Sequence, residues 1–505
     1  MKHDGSEYQA RGECSTGAVA EVQGLYGPFS FPEILLQQIW LRGEFDATRL
    51  VVADGRAVQV LHPGRWNRLG GPDFKQARLR IGGEAVTGDV EVHLHAEDWT
   101  RHRHADDPAY AGVVLHVVLF PGRAALPAVS RGAGGRGIPV ATLLPLLWHD
   151  LEEYAADAAV ERLARHPMAR AREELLAMRE DELRAELGRL ASERWARKVH
   201  FAKVRVARLG WEEACHHAAL EILGYRANRA PMLAVATGWP LAVWRKNTGG
   251  ATAAQAITSV PSMPAGNPIG CQPASTACDG GSAGEGFADA VFEEISARGA
   301  WSQQGARPAN HPRARLRQYA RWVAASQDWP ARLAHVFASQ GSAGAAGFSL
   351  RPESASDIHG QRGPAPGEAG RPPRPRSLTR ADEPSTRDWR RANGARRLRA
   401  AVGRICGGAI GGTRLDNLVC DGFLPLLAAC DGADAARLER CWRHWWTGDM
   451  PAQVAPLLKG LRMTGTRDQP ACHGIAQGLL GWMLANEDAA PRGEGNGPSQ
   501  IKPRP

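Results

Sequence analysis

Three stretches between residues 57 and 95 alternate apolar and polar positions, the pattern of strands that cover one face. They read AVQVLHP, DFKQARLRIGG and AVTGDVEVHLH, and glycine-bearing turns separate them. Ahead of them, FPEILLQQIW places Ile34, Leu35, Ile39 and Trp40 on one helical stripe, beginning after Ser30 with Pro32 in the first turn. After them comes a short polar segment, AEDWTRHRHADDPAY, long enough for one or two helical turns. GVVLHVVLF, residues 112–120, is apolar and β-branched nearly throughout, as a central strand should be. The predicted order is α-β-β-β-α-β.

From residue 143 to about 240 the spacing changes to three and four, with charges set around apolar positions, and predicts helix throughout. RPANHPRARLRQYARWVAAS, LDNLVCDGFLPLLAACDGADAARLERCWRHWW and PACHGIAQGLLGWMLA resume that pattern further on. The expected fold class is α+β, a mixed sheet followed by a mainly helical region. The expected organisation is a disordered leader over 1–28, an α/β core over 29–142 and a helical domain over 143–246. A low-complexity linker over 247–285, a helical segment over 286–339 and a Pro/Gly/Arg-rich linker over 340–395 follow. A helical lobe over 396–487 and a disordered tail over 488–505 complete it. No fixed-period repeat is present.

Composition narrows the class. Of the 505 residues 43% are hydrophobic and 23% charged, as in globular proteins. No run of about eighteen apolar residues predicts a membrane span. MKHDGSEYQARGECSTG has no apolar core of the signal-peptide kind, so a cytoplasmic location is expected. The nine cysteines include no CxxC pair, which predicts free thiols. The net charge of +9 is uneven: residues 351–400 hold twelve Arg against six acids, whereas 31–150 balance thirteen basic against thirteen acidic residues. The surplus belongs to a solvated linker and argues weakly for nucleic acid.

The chemistry concentrates in GGPDFKQARLRIGGEAVTGDVEVHLH, residues 70–95. Alternation puts Asp73, Lys75 and Ala77 on one face of their strand, and Asp89, Glu91, His93 and His95 on one face of the next. Such a row is either the solvent face of a half-buried strand or a site. Asp73 follows a proline at a strand entrance, and Glu91 lies mid-strand alongside, so their carboxylates can converge on one divalent cation such as Mg²⁺ or Mn²⁺. A cation there can activate water and offset phosphodiester charge. His93, His95, His102, His104 and His116 fall within 24 residues and offer a different site, a transition-metal centre of a His-rich hydrolase, although no zinc signature fits their spacing. His116, inside an apolar strand, reads as a core histidine. Arg101, His102 and Arg103 are also placed to meet a phosphate backbone. No P-loop motif is present, and the glycine-bearing IGGEAVTG lies between strands, where a Rossmann site would want a helix.

The order α-β-β-β-α-β, with Pro72-Asp73 at the second strand and Glu91 in the third, resembles the core of the PD-(D/E)xK nuclease superfamily. That resemblance implies a metal held by Asp73 and Glu91, with Glu33 at the position of the acid that many members carry in the first helix. His93 stands where the superfamily has lysine. It implies either a histidine base, an extra ligand at His93 or His95, a displaced ammonium from Lys75, or loss of activity. Over a longer span the chain resembles a bacterial family, domain-of-unknown-function family 2851. The match runs from LLQQIWLRGEFDATRLVVADGRAVQVLHPGRWNRLGGPDF through GDVEVHLHAEDWTRHRHADDPAYAGVVLHVVLF to RWARKVHFAKVRVARLGWEEACHHAALEILGYRANRAPM and HGIAQGLLGWM. Members of that family end in a cysteine-bearing tail; here the last stretch, ANEDAAPRGEGNGPSQIKPRP, has none. Expected, then, is a Mg²⁺- or Mn²⁺-dependent nuclease acting on DNA or RNA. The alternative is an inactive nuclease-fold scaffold that binds a protein partner through Trp-rich surfaces of the helical lobe, such as CWRHWW.

Overall fold

The computed structural model describes residues 18–24, 27–120, 129–132, 135–163, 169–225, 227–249, 283–297, 301–302, 310–339, 385–408, 410–466 and 469–486. The linkers expected at 247–285 and 340–395 lie mostly outside these residues, as do the tail and positions 1–17. The chain divides into two compact units, Met1–Ala155 and Ala156–Pro505.

The first unit opens with a hairpin of β1 (Val19–Gly24) and β2 (Gly27–Pro32). The leader expected to be disordered thus carries strand from residue 19, because Phe29 and Phe31 favour extended backbone and Phe31 is fully buried. Helix α1 (Glu33–Arg42) follows, with Pro32 as its N-cap and Gly43, at φ +62°, closing it. Leu35, Leu36, Ile39 and Trp40 are buried, while Ile34, expected on the inner stripe, is 45% exposed and Leu36 replaces it.

The sheet consists of β3 (Val58–His62), β4 (Arg65–Trp66), β5 (Phe74–Ile81), β6 (Glu84–His95), β7 (Val113–Phe120), β8 (Val129–Arg131) and β9 (Gly137–Thr142). Its order is β3-β5-β6-β7-β9-β8, with β4 also on β5. β6 runs antiparallel to β5 and parallel to β7, so the crossover between β6 and β7, which carries the short helix α2 (Asp98–Arg101), returns the chain to the same end. The order α1-β3-β5-β6-α2-β7 is the predicted α-β-β-β-α-β. The pattern did not predict β9, because Pro139 interrupts a short run there, yet it pairs parallel with β7. Residues 90–94 of β6 are buried on both faces, so this strand is central and has no solvent face there.

One departure from alternation matters for the site. Phe74 pairs with Val90 and Ala77 with Gly88, so two residues of β5, Lys75 and Gln76, stand against Asp89 in a bulge. Gln76 takes φ +57° to make it. The bulge shifts the parity: Phe74, Ala77 and Leu79 point into the core together, and Lys75 does not share a face with Ala77 as expected.

The second unit is helical. α3 (Leu151–Leu163) enters it, followed by α4 (Ala169–Ala177), α5 (Glu180–Leu209), α6 (Trp211–Leu223), α7 (Arg229–Gly238) and α8 (Leu241–Thr248). Then come α9 (Ala283–Ser296), α10 (Pro312–Ala325), α11 (Trp329–Ser339), α12 (Thr386–Ala392), α13 (Ala395–Ile405) and α14 (Gly412–Asn417). A π-helical turn, Leu418–Phe423, leads into α15 (Leu424–Ala428), and α16 (Ala435–His444), α17 (Val454–Gly460) and α18 (His473–Ala485) finish it. Trp244, Trp322, Trp329, Trp442 and Trp445 are all buried in its main core. CWRHWW is therefore mostly core: Trp442 and Trp445 are inside and Trp446 packs against them, which removes the expected Trp-rich docking surface. The six described cysteines are free. Among the described residues no helix is long and apolar enough to cross a membrane.

Candidate metal centre

Three carboxyl groups from three elements of the first unit lie near enough for their charges to act on one another, with their oxygens not all within 4.8 Å. Glu33 is the first residue of α1, Asp73 precedes β5 and Glu91 lies in the middle of β6. Gly71, at φ +91°, turns the chain so that Asp73 enters beside β6. There the Asp73 N–H donates to Glu91 Oε2 (3.0 Å) and Asp73 Oδ2 accepts from the Val92 N–H (3.1 Å). Asp73 Oδ1 accepts from Gln37 Nε2 (2.7 Å), and Gln37 Oε1 in turn accepts from the Trp66 indole (3.0 Å). One turn of α1 therefore supplies both an acid and the amide that orients a second acid.

Burial raises all three carboxyls, and the charges of neighbouring acids add to it at Glu33 and Glu91. Glu33 is pushed up to about 8 by burial, then by the charges of Asp73 and Asp98, against a hydrogen bond from the Leu94 backbone. Burial lifts Asp73 to about 7, against the hydrogen bonds from Val92 and Gln37. Glu91 lies well above the usual carboxylate range, first through burial and then through Asp73, with Lys75 opposing. Glu33 Oε2 is buried with no hydrogen-bond partner. Buried acids that repel one another in this way hold protons or a cation.

The bulge takes Lys75 to Asp89, where its Nζ sits 3.0 Å from Oδ2, while the Gln76 N–H donates to Oδ1 (3.0 Å). His93 is enclosed, 1% exposed. Its Nδ1 lies 3.0 Å from His116 Nε2, and His116 Nδ1 lies 2.8 Å from Ser130 Oγ. Its Nε2 faces Glu91 Oε1 (3.3 Å), His102 Nδ1 (3.2 Å) and His104 Nε2 (3.2 Å). His104 Nε2 is also 3.4 Å from Glu91 Oε1. Burial drives His93 far below its ordinary value and His104 and His116 down to about 4 and about 3, so all three are neutral near pH 7.

The structure thus joins Glu33, Asp73, Glu91 and His93 in one buried region and holds Lys75 one step aside. His95 does not join it: its ring stacks on Phe120 at 5.1 Å, and only its backbone N–H is engaged, by Asp98 Oδ2 at 3.0 Å. His116 is the core histidine that its strand implied, with both ring nitrogens partnered. Of the described residues, one group of three or more His, Cys, Asp and Glu side chains brings its ligand atoms within 4.8 Å of one another, namely His93, His102 and His104. The HxH spacing of 102 and 104 marked these two in the sequence. Gln37, Ser130 and Tyr110, whose ring stacks on His104 at 3.8 Å, carried no such mark, because neutral polar and aromatic residues occur everywhere.

Residues 33–259 match the family described as a protein of unknown function (DUF2851). That span includes α1, the sheet, every residue of the candidate centre and the helices through α8. No curated protein and no solved structure matches the chain.

Proposed function

We infer that the first unit is a divalent-metal-dependent nuclease, a phosphodiester hydrolase acting on DNA or RNA. The convergence of Glu33, Asp73 and Glu91 carries this reading. The donors are all carboxylate oxygens, one of them buried without a partner, a set that suits a hard cation such as Mg²⁺ or Mn²⁺. The order α1-β3-β5-β6-α2-β7 and the Pro72-Asp73 and Glu91 positions are those of the PD-(D/E)xK superfamily, which supports the same assignment. When bound, such a cation lowers the pKa of its water and offsets phosphodiester charge.

The chain's own residues divide the remaining work. Gln37 and the Val92 N–H orient the Asp73 carboxyl, and the Asp73 N–H orients Glu91. His93 replaces the motif lysine but is no free base, since both ring nitrogens already face other groups. Lys75 is the ammonium whose charge reaches Glu91, so the lysine's electrostatic task falls to it. A second reading, a nuclease-fold scaffold without catalysis, draws support from the ion pair that engages Lys75 with Asp89.

The deciding experiment incubates the full chain with single-stranded, double-stranded and branched DNA and RNA in Mg²⁺ or Mn²⁺, beside Asp73→Asn. The nuclease reading expects cleavage by the parent and at least about a hundredfold less by the variant, more than loss of an outer-shell partner costs. No cleavage by the folded parent, or equal cleavage by both, contradicts it.

A further inference from the structure

The three atoms around His93 Nε2 pose a problem of hydrogen counting. Glu91 Oε1, His102 Nδ1 and His104 Nε2 all face it at 3.2–3.3 Å. A neutral imidazole carries one N–H, and the other nitrogen of His93 already meets His116. In either tautomer His93 Nε2 offers a single N–H or a single lone pair to three further polar atoms. Protons on His102 and His104 can relieve part of this, but they leave lone pairs facing one another in a buried place. A cation held by the three imidazoles satisfies their facing nitrogens together. The separations fit: donors bonded at the lengths usual for zinc lie about 3.3 Å apart along the edge of a tetrahedron. His93 Nε2 lies 3.2 Å from both His102 Nδ1 and His104 Nε2, and the ligand atoms of the three histidines are all within 4.8 Å of one another.

We propose that His93, His102 and His104 hold a zinc-class transition-metal ion, a second cation site beside Glu91 of the carboxylate site. Three imidazoles are borderline donors, which favour Zn²⁺ over Mg²⁺. The surroundings are built for it. Arg103, between the two loop histidines, takes φ +57°, a backbone conformation costly for arginine, and this turn brings both rings onto His93. Tyr110 stacks on His104, and the His116–Ser130 pair orients His93 from behind, as outer-shell partners do around metal ligands. His102 is the exposed member, so ions and chelators reach the site from its side. The site goes beyond the nuclease reading. Its ion would lie beside Glu91 Oε1, which is 3.3 Å from His93 Nε2 and 3.4 Å from His104 Nε2, while Oε2 accepts from the Asp73 N–H, so the role is to position Glu91.

The test strips the full-length protein of metal and titrates it with Co²⁺. Expected are the intense visible bands of tetrahedral Co²⁺, erased by added Zn²⁺. His102→Ala should lose those bands and bind at least about tenfold more weakly. Asp73→Asn and His95→Ala should keep them, so failure of the nuclease reading leaves this result untouched. Because His102 is exposed, its variant tests the ligand set without opening the core. Absence of the bands in the parent, parent-like binding by His102→Ala, or their loss in folded His95→Ala overturns the proposal.

Discussion

His216 in the helical unit and His93 in the sheet unit are both buried and both held far below the ordinary histidine pKa, yet their surroundings differ in kind. His216 Nδ1 meets the Tyr319 hydroxyl at 2.6 Å and its Nε2 meets the Trp239 carbonyl at 3.0 Å, which accounts for the whole ring. Asp416 is treated likewise: Arg399 donates to both its oxygens (2.7 and 2.9 Å), and the Trp445 indole adds a third bond (3.1 Å). At the candidate centre of the sheet unit the buried groups face their own kind, acid beside acid and imidazole beside imidazole. The helical unit has an exception in His473, neither of whose ring nitrogens is hydrogen-bonded. The contrast teaches that burial alone does not mark a site. A buried polar group with its own partner stabilises a fold, whereas buried groups of like character turned toward one another need a ligand.

Substitution at Asp416 is the strongest way to break this comparison from the helical side. Asp416→Ala should destabilise the second unit by about 2–4 kcal/mol, since it leaves the Trp445 indole and the Arg399 guanidinium without their acceptor. Urea unfolding followed by limited proteolysis would measure it. Metal-dependent cleavage by the still-folded variant should be unchanged, and a loss of cleavage comparable to that of Asp73→Asn would erase the distinction.

The pH response should be smaller and of opposite sign in the two units. Glu33 and Asp73 have raised values in the folded state, about 8 and about 7, so the folded chain holds protons there that the unfolded chain has released. Stability of the sheet unit should therefore fall as pH rises from about 6.5 to about 8, by up to about 1.4 kcal/mol per pH unit for each group. Below that window the neutral histidines 93, 104 and 116 work against the trend. In the helical unit His216 and His473 are lowered to about 3, and His217 and His444 to about 4. The unfolded chain takes up those protons first, so that unit should hold its stability above pH 6.5 and lose it as pH falls toward about 3. Unfolding curves at a series of pH values, read separately for each unit, check both slopes; Mn²⁺ should remove the loss in the sheet unit at pH 8 and leave the helical unit as it was.

Much of this contrast could be read from the chain. Alternation located β3, β5, β6 and β7, and the spacing of three and four located the long helices. Pro72-Asp73 and Glu91 were expected beside each other across two strands, and the Asp73 N–H donates to Glu91 Oε2. What escaped is what alternation cannot encode. The bulge at Lys75 and Gln76 depends on pairing with Asp89 from another strand, so Lys75 was assigned to a face it leaves. His95 keeps the parity of Glu91 and His93 but sits at the strand end beside Phe120. Convergence of His102 and His104 depends on one left-handed residue, Arg103, of a type that gives no warning of it.

The central claim is that the like groups gathered in the sheet unit, and not the paired ones in the helical unit, await a cation. Hydrogen exchange of the full chain, resolved by peptide, with and without Mn²⁺ addresses it most directly. The account predicts slowed exchange in the segments bearing Asp73 and Glu91, and none in the peptides around His216 and Asp416. Unchanged exchange throughout the sheet unit, or protection confined to the helical unit, would contradict it.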